Sequence, residues 1–184
     1  HLTFEKIHTS NASAQLEISK GKLLVRRWTA DIFGGKSSGE WTFDFSGKVP
    51  VITTAGSLRR VHMDQLQGDP SQGRAAGRVD ASYRLTMTGS NADALSSSLV
   101  GSGDFSWRDG SIQTAARDND DASVLNFGLW SGEFKLGKQR MTMENTKMVS
   151  ASGVRDLSGE IALGRDWNLK LLRTAGGGVL ASEN

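Results

Sequence analysis

Apolar and polar residues alternate with period two along most of the chain, the pattern of half-buried β-strands. In residues 2–9, Leu2, Phe4 and in part Lys6 share one side, against Thr3, Glu5 and Ile7. Leu16 and Ile18 share a face in 14–19. Residues 21–33, GKLLVRRWTADIF, form a long strand with mixed faces, and a bulge near Arg26-Arg27 would switch which side is apolar. EWTFDF (40–45) alternates cleanly, with Trp41, Phe43 and Phe45 on one side. Residues 49–61 make another strand, whose Pro50 suits an edge or a strand start.

The rhythm then breaks. Residues 63–77 hold a short helical turn at most and then a loop, the expected boundary between sub-blocks 1–67 and 76–173 of a single 1–184 domain. Val79, Ala81, Tyr83, Leu85 and Met87 are in phase in the next strand. SNADALSSSL (90–99) predicts a short helix with Ser90 or Asn91 as N-cap and Asp93 in its first turn. Residues 101–116 predict a hairpin turning at Arg108-Asp109-Gly110. Further strands are predicted over 123–136, 139–149, 152–163 and 166–173, before a Gly-rich tail (174–184) expected to be flexible or cut short. The fold class is therefore mainly β, an antiparallel sheet with one or two short helices. One small helix cannot cover a sheet of roughly nine strands, so its apolar face needs a second layer, a curl onto itself or an apolar ligand.

Composition narrows the function classes. A length of 184 residues suits one domain with a real core. With 37% hydrophobic residues the chain reads as soluble, and no apolar run approaches the roughly 18 residues of a membrane helix. No signal peptide is visible, and a start at His1 rather than Met suggests a processed or excised piece. The absence of cysteine removes disulfides, thiol catalysis and cysteine-based zinc sites, and it suits an oxidising compartment. Net charge is only +2, and the only basic doublets are Arg26-Arg27 and Arg59-Arg60, which argues against nucleic acid as a partner.

Two catalytic motifs overlap in residues 34–42, GGKSSGEWT. A phosphate loop ending at Gly35-Lys36-Ser37 would need glycine where Ala30 stands and a helix where a period-two strand follows. Gly35-Lys36-Ser37-Ser38-Gly39 fits G-x-S-x-G, but that elbow also leads into a helix. Ser37, Asp44 and His62 stand in triad order, with Asp44 on the polar side of a nearby strand. The simpler reading is a turn: Phe33-Gly34-Gly35 folds one strand back on the next, with Lys36-Ser37-Ser38 as turn residues.

His1, His8 and His62 share no metal-ligand spacing, and DNDDAS (118–123) lacks the glycine and closing glutamate of a calcium loop. No catalytic residue, metal or cofactor is expected. Asn11-Ala12-Ser13 is a formal glycosylation acceptor, relevant only in a eukaryotic secretory chain. What remains are aromatic faces: Trp41, Phe43 and Phe45; Phe105 and Trp107; Trp130 and Phe134; and Trp167 with Leu169 and Leu171. They form either an ordinary core or an apolar face left open.

Three stretches carrying these residues resemble the AsmA family, in its AsmA-like C-terminal region. Residues 21–66 are similar to its strand, aromatic-Gly-Gly turn and Pro-containing strand, although RRVHMDQL departs from the family's close. Residues 85–112 resemble its sheet–short helix–Gly-rich segment, and 125–171 its closing strands, with Ser158-Gly159-Glu160-Ile161 in the expected rhythm. The resemblance implies a curved, groove- or half-barrel-like sheet in a periplasmic module of an inner-membrane-anchored protein of Gram-negative outer-membrane biogenesis. It further implies phospholipid or another envelope lipid as partner, with Trp41, Phe43, Phe45, Phe105, Trp107, Trp130 and Phe134 as the lipid-binding face. A protein-interaction domain, binding envelope assembly proteins through its edge or apolar patch, is the alternative.

Overall fold

The computed structural model describes residues 2–4, 7–65, 74–113, 124–162 and 168–174, with side chains placed between residues 10 and 160 of these. Eleven strands form one sheet in sequence order, an antiparallel meander. They are β1 (Leu2–Phe4), β2 (Ile7–Ser19), β3 (Lys22–Ile32), β4 (Gly35–Asp44), β5 (Val51–His62) and β6 (Arg74–Thr88). There follow β7 (Val100–Gln113), β8 (Val124–Gly137), β9 (Arg140–Ser150), β10 (Gly153–Ala162) and β11 (Asn168–Thr174). A 3-10 turn at Met63–Gln65 follows β5, and α1 (Ala92–Ser97) links β6 to β7. Asn91 caps α1, its side-chain oxygen accepting from the Ala94 N–H at 2.8 Å. The sheet is not closed into a barrel. β5 pairs with β6 from Val51↔Thr88 to His62↔Arg78, so the sheet crosses between stretches 1–67 and 76–173 without a break.

Tight turns fix the register. Lys20-Gly21, Phe33-Gly34 and Lys138-Gln139 each put two consecutive residues at positive φ, between paired residues Ser19↔Lys22, Ile32↔Gly35 and Gly137↔Arg140. This is the type I′ hairpin, whose twist matches that of the strands. The turn at 33–34 is shorter than the sequence suggests. Gly35 already pairs with Ile32, so Lys36, Ser37 and Ser38 are strand residues of β4 rather than turn residues.

Bulges do the rest. In each, two residues oppose one on the neighbouring strand: Asn11-Ala12 opposite Ala30, Arg26-Arg27 opposite Glu40, Arg59-Arg60 opposite Asp80, Asp109-Gly110 opposite Gly77, and Asn145-Thr146 opposite Gly132. One residue of each pair is left-handed: Asn11, Arg27, Arg60, Asp109 or Asn145. A bulge bends its strand and resets the alternation. Val25 and Trp28 thus share a face three residues apart, as do Leu58 and Val61. The bulge at Arg26-Arg27 is the one its mixed faces predict. The hairpin expected at Arg108-Asp109-Gly110 is not a turn. β7 runs through it to Gln113, because an Asp-Gly pair with Asp at φ 50° serves a bulge as readily as a reversal.

The result is a two-faced sheet. On the polar face, hydroxyls and carboxylates bond across strands: Ser13 to Thr29 at 2.7 Å, Ser38 to Ser57 at 3.1 Å, and Ser82 to Asp104 at 2.9 Å. The apolar face has no second layer of secondary structure among the described residues. The 3-10 turn and α1 both pack on β6, and every other substantial contact joins sheet neighbours. The deepest core is therefore made by the bent sheet itself, over β7–β10. Trp107, Phe127, Trp130, Phe134, Met143 and Met148 are buried there, with Met63 of the 3-10 turn against them. Trp107 and Phe127 meet edge to face at 5.1 Å, and Trp107 stacks on Trp130 at 6.0 Å.

Candidate apolar floor

The opposite end of the same face is less covered. Register aligns Ile18, Leu23, Phe43, Ile52 and Met87 in one row across β2–β6. A second row runs Leu16, Val25, Trp41, Thr54, Leu85 and Gly101, then Leu136 and Met141. Trp41 and Phe43, two residues apart on β4, lie nearly parallel with ring centres 6.0 Å apart and interplanar angle 14°. Both are half-buried, as are Leu23, Val25 and Ile52. At the strand edge, exposure rises to 69% at Leu16 and 81% at Ile18. These rows make a continuous apolar floor open to solvent, ending on β2, whose residues 10–19 have no strand on their outer side among the described residues.

The seven aromatics expected to form one lipid-binding face divide. Trp41 and Phe43 lie on the open floor. Phe45 does not continue their face within the strand: β4 ends at Asp44, and Phe45 is 56% exposed in the following loop, its N–H donating to Gly21 O at 2.9 Å. Phe105 is half-buried against Trp130, at 5.6 Å edge to face. Trp107, Trp130 and Phe134 are only 8%, 2% and 9% exposed, covered by protein atoms as core. Trp167, Leu169 and Leu171 lie outside the residues whose side chains are described. Sequence reasoning left Val25, Ile52, Leu85 and Met87 out of the floor. Their alternation was visible, but only register brings them beside Trp41 and Phe43.

Glycines hold much of this face. Tyr83 lies over Gly56, where a Cβ would come 2.8 Å from its hydroxyl. Phe134 lies over Gly103 at 2.6 Å in the same sense, and Phe127 covers Gly110. Rings thus fold flat onto glycines of neighbouring strands, the cross-strand cover that compensates for a missing side chain.

At the floor's end, Lys22 and Asp44 pair in register, Nζ to Oδ2 at 2.7 Å. The Lys22 ammonium, and then the Ser46 hydroxyl at 2.6 Å and Ser46 N–H at 3.0 Å, hold the Asp44 carboxyl well below the usual carboxylate range. Across the polar face, Glu144 raises Lys135, mainly through their 2.7 Å hydrogen bond.

The triad-ordered residues do not assemble. Ser37 is buried and its Oγ accepts from Trp28 Nε1 at 3.4 Å. Asp44 lies seven residues along the same strand, about 23 Å away, held by Lys22. His62 approaches Asp64 at 4.0 Å. No group of three or more histidine or acidic side chains able to hold a metal occurs among the described side chains, which exclude those of His1, His8 and residues 118–123. Asn11 sits at the β2 bulge, its Nδ2 donating to Asp31 at 2.6 Å.

No protein-family model matches the chain, and no curated protein and no solved structure is significantly similar to it. No described helix is long and apolar enough to cross a membrane. Fold and site together define an open antiparallel β-sheet with one polar face, one apolar face, and an apolar floor half open to water.

Proposed function

We propose that this chain is a non-enzymatic module that binds lipid acyl chains along the open floor of β2–β6. The observation that carries the reading is the pair of apolar rows through Trp41 and Phe43, which stay half-exposed while Trp107, Phe127, Trp130 and Phe134 of β7 and β8 are covered. A methylene chain laid on such a floor gains about 0.8 kcal/mol per buried CH₂ and needs no directed hydrogen bond. Alternating aromatic and aliphatic side chains are then sufficient chemistry. The separation of Ser37, Asp44 and His62 is in keeping with a role other than catalysis. The AsmA-like sequence features supply the setting: a periplasmic module of an inner-membrane-anchored parent, with a phospholipid or other envelope lipid as ligand in outer-membrane biogenesis.

Native mass spectrometry after exposure to a bacterial phospholipid extract tests this. Discrete adducts at lipid mass are expected, lost in Trp41→Asp/Phe43→Asp while far-ultraviolet circular dichroism is unchanged. A clean ligand-free mass for the parent protein overturns the reading. One observation favours a second reading, an interaction domain for envelope assembly proteins. The outer edge of β2 carries exposed Leu16 and Ile18 and, between residues 10 and 19, a single charge at Glu17. Such an edge lacks the lysines and prolines that usually guard against strand addition. A stable complex without lipid, abolished by Leu16→Lys, would favour that reading.

A further inference from the structure

We propose that the tip of the β3–β4 hairpin is an anion site that takes a phosphate group. A half-open depression of about 510 Å³ lies there, between the Phe33-Gly34 turn and the side chains of Ser10, Asp31, Lys36, Arg59, Arg60 and Gln65. Three of these are cations and one is an acid. Lys36 and Arg59 are direct cross-strand partners. Like charges so placed repel, a cost that a bound anion would convert into attraction. The bulge adds to the concentration of charge. Arg59 and Arg60 together oppose the single residue Asp80, so two guanidinium groups leave the strand where regular pairing would present one.

Two carboxylates, Asp31 as the β3 partner of Lys36 and Asp80 opposite the bulge, offset part of this charge without reaching ion-pair distance of any of the three cations. Asp31 accepts from Asn11 Nδ2 at 2.6 Å, and Asp80 accepts the Arg60 backbone N–H at 2.9 Å. None of Lys36, Arg59 and Arg60 has an ion-pair partner within 4.0 Å among the described residues. Two guanidinium forks and an ammonium around one depression match the donors that a tetrahedral, multiply charged oxyanion requires. Ser10 and Gln65 add neutral polar groups. This is not a phosphate loop: Lys36 acts from a strand, and no helix N-terminus takes part.

The phosphate could be free or part of a lipid headgroup. Strands cross the apolar floor, so their turns lie at its margin. Lys36 stands five residues along β4 from Trp41, about 17 Å, and this odd spacing puts the two side chains on opposite faces, so a lipid held here by its phosphate would pass its acyl chain around the hairpin tip to reach the floor. The lipid source rests on the acyl-floor reading; the anion chemistry does not.

Titration of the ¹⁵N-labelled protein, at an ionic strength of about 0.15 M to screen diffuse attraction, tests the proposal with two probes. They are inorganic phosphate and dihexanoyl-phosphatidylglycerol below its micelle concentration. Saturable amide shifts confined to residues 33–36, 59–60 and 65 are expected. They should weaken at least tenfold in Lys36→Gln/Arg59→Gln/Arg60→Gln, with the rest of the spectrum unchanged. A response to phosphate alone assigns a free anion, and a tighter response to the lipid assigns a headgroup. No saturable shift with either probe overturns the site. So do equal shifts at cations elsewhere, such as Lys48 and Lys138. Trp41→Asp/Phe43→Asp should leave the phosphate titration intact, so loss of the floor and loss of the anion site are separable results.

Discussion

Two tryptophans pack against each other in the core under opposite polar conditions. Trp107 donates its Nε1–H to Ala76 O at 2.9 Å. Trp130, the largest fully buried side chain among the described residues, has no partner there for its Nε1–H. A buried donor left unpaired costs about 1–3 kcal/mol, so much of what Trp130 gains by burying its ring is offset at its nitrogen. Replacing each by phenylalanine removes similar volume but opposite polar terms. Trp107→Phe strands the Ala76 carbonyl and should cost about 2–3 kcal/mol. Trp130→Phe deletes the orphan donor and should cost roughly 1 kcal/mol. Urea unfolding of the two variants decides it. Equal losses would mean that the Trp130 nitrogen is satisfied in solution, with water the obvious candidate.

At the scale of elements, the β3–β4 hairpin is pinned at one end by the Phe33-Gly34 turn and at the other by Lys22 with Asp44. The folded Asp44 carboxyl titrates lower than in the unfolded chain, through Lys22 first and Ser46 second. Its contribution to stability is therefore complete above the unfolded carboxylate pKa of about 4. It is lost as pH falls from there toward the folded value. Denaturation at pH 6 and pH 3 should show Asp44→Asn less stable than the parent at pH 6, with the gap narrowing at pH 3. A constant gap would mean that neither Lys22 nor Ser46 favours the ionised carboxylate over the protonated one. The hairpin also shows what the sequence makes legible. Period two announced its strands, Phe33-Gly34 its reversal, and the mixed faces around Arg26-Arg27 its bulge. The Asp109-Gly110 bulge was read as a turn because both uses ask for the same left-handed backbone. The floor was legible only as separate faces. Whether Trp41 sits beside Val25 or Trp107 is a matter of register and curvature, and those are set by several bulges together rather than by any one stretch.

On the scale of the whole molecule, a meander in which each strand pairs with its sequence neighbours behaves almost one-dimensionally, with stability set locally rather than shared by a central core. Burial is uneven along that line. β7–β9 carry the interlocked rings and methionines, whereas β2 is exposed from residue 10 to 19 and β3–β5, apart from the buried Ala30 and Val61, hold their apolar residues half in water. Opening β2 and β3 exposes little additional apolar area, while opening β8 exposes Trp130, Phe127 and Phe134. Hydrogen exchange should follow this gradient. Amides of β7–β9 should exchange only by the deepest opening, and those of β2–β3 on the order of 100-fold faster through partial opening. A ligand seated on the floor would stabilise the weaker end selectively, since it binds only where β2–β6 are paired. Added phospholipid should therefore slow exchange in β2–β5 while leaving β8 nearly unchanged. If both ends instead exchange together, the sheet opens as one unit, and the half-exposed floor contributes more to the fold than its burial suggests. If the gradient exists but lipid leaves it untouched, the open rows are an edge awaiting another strand rather than a bed for acyl chains.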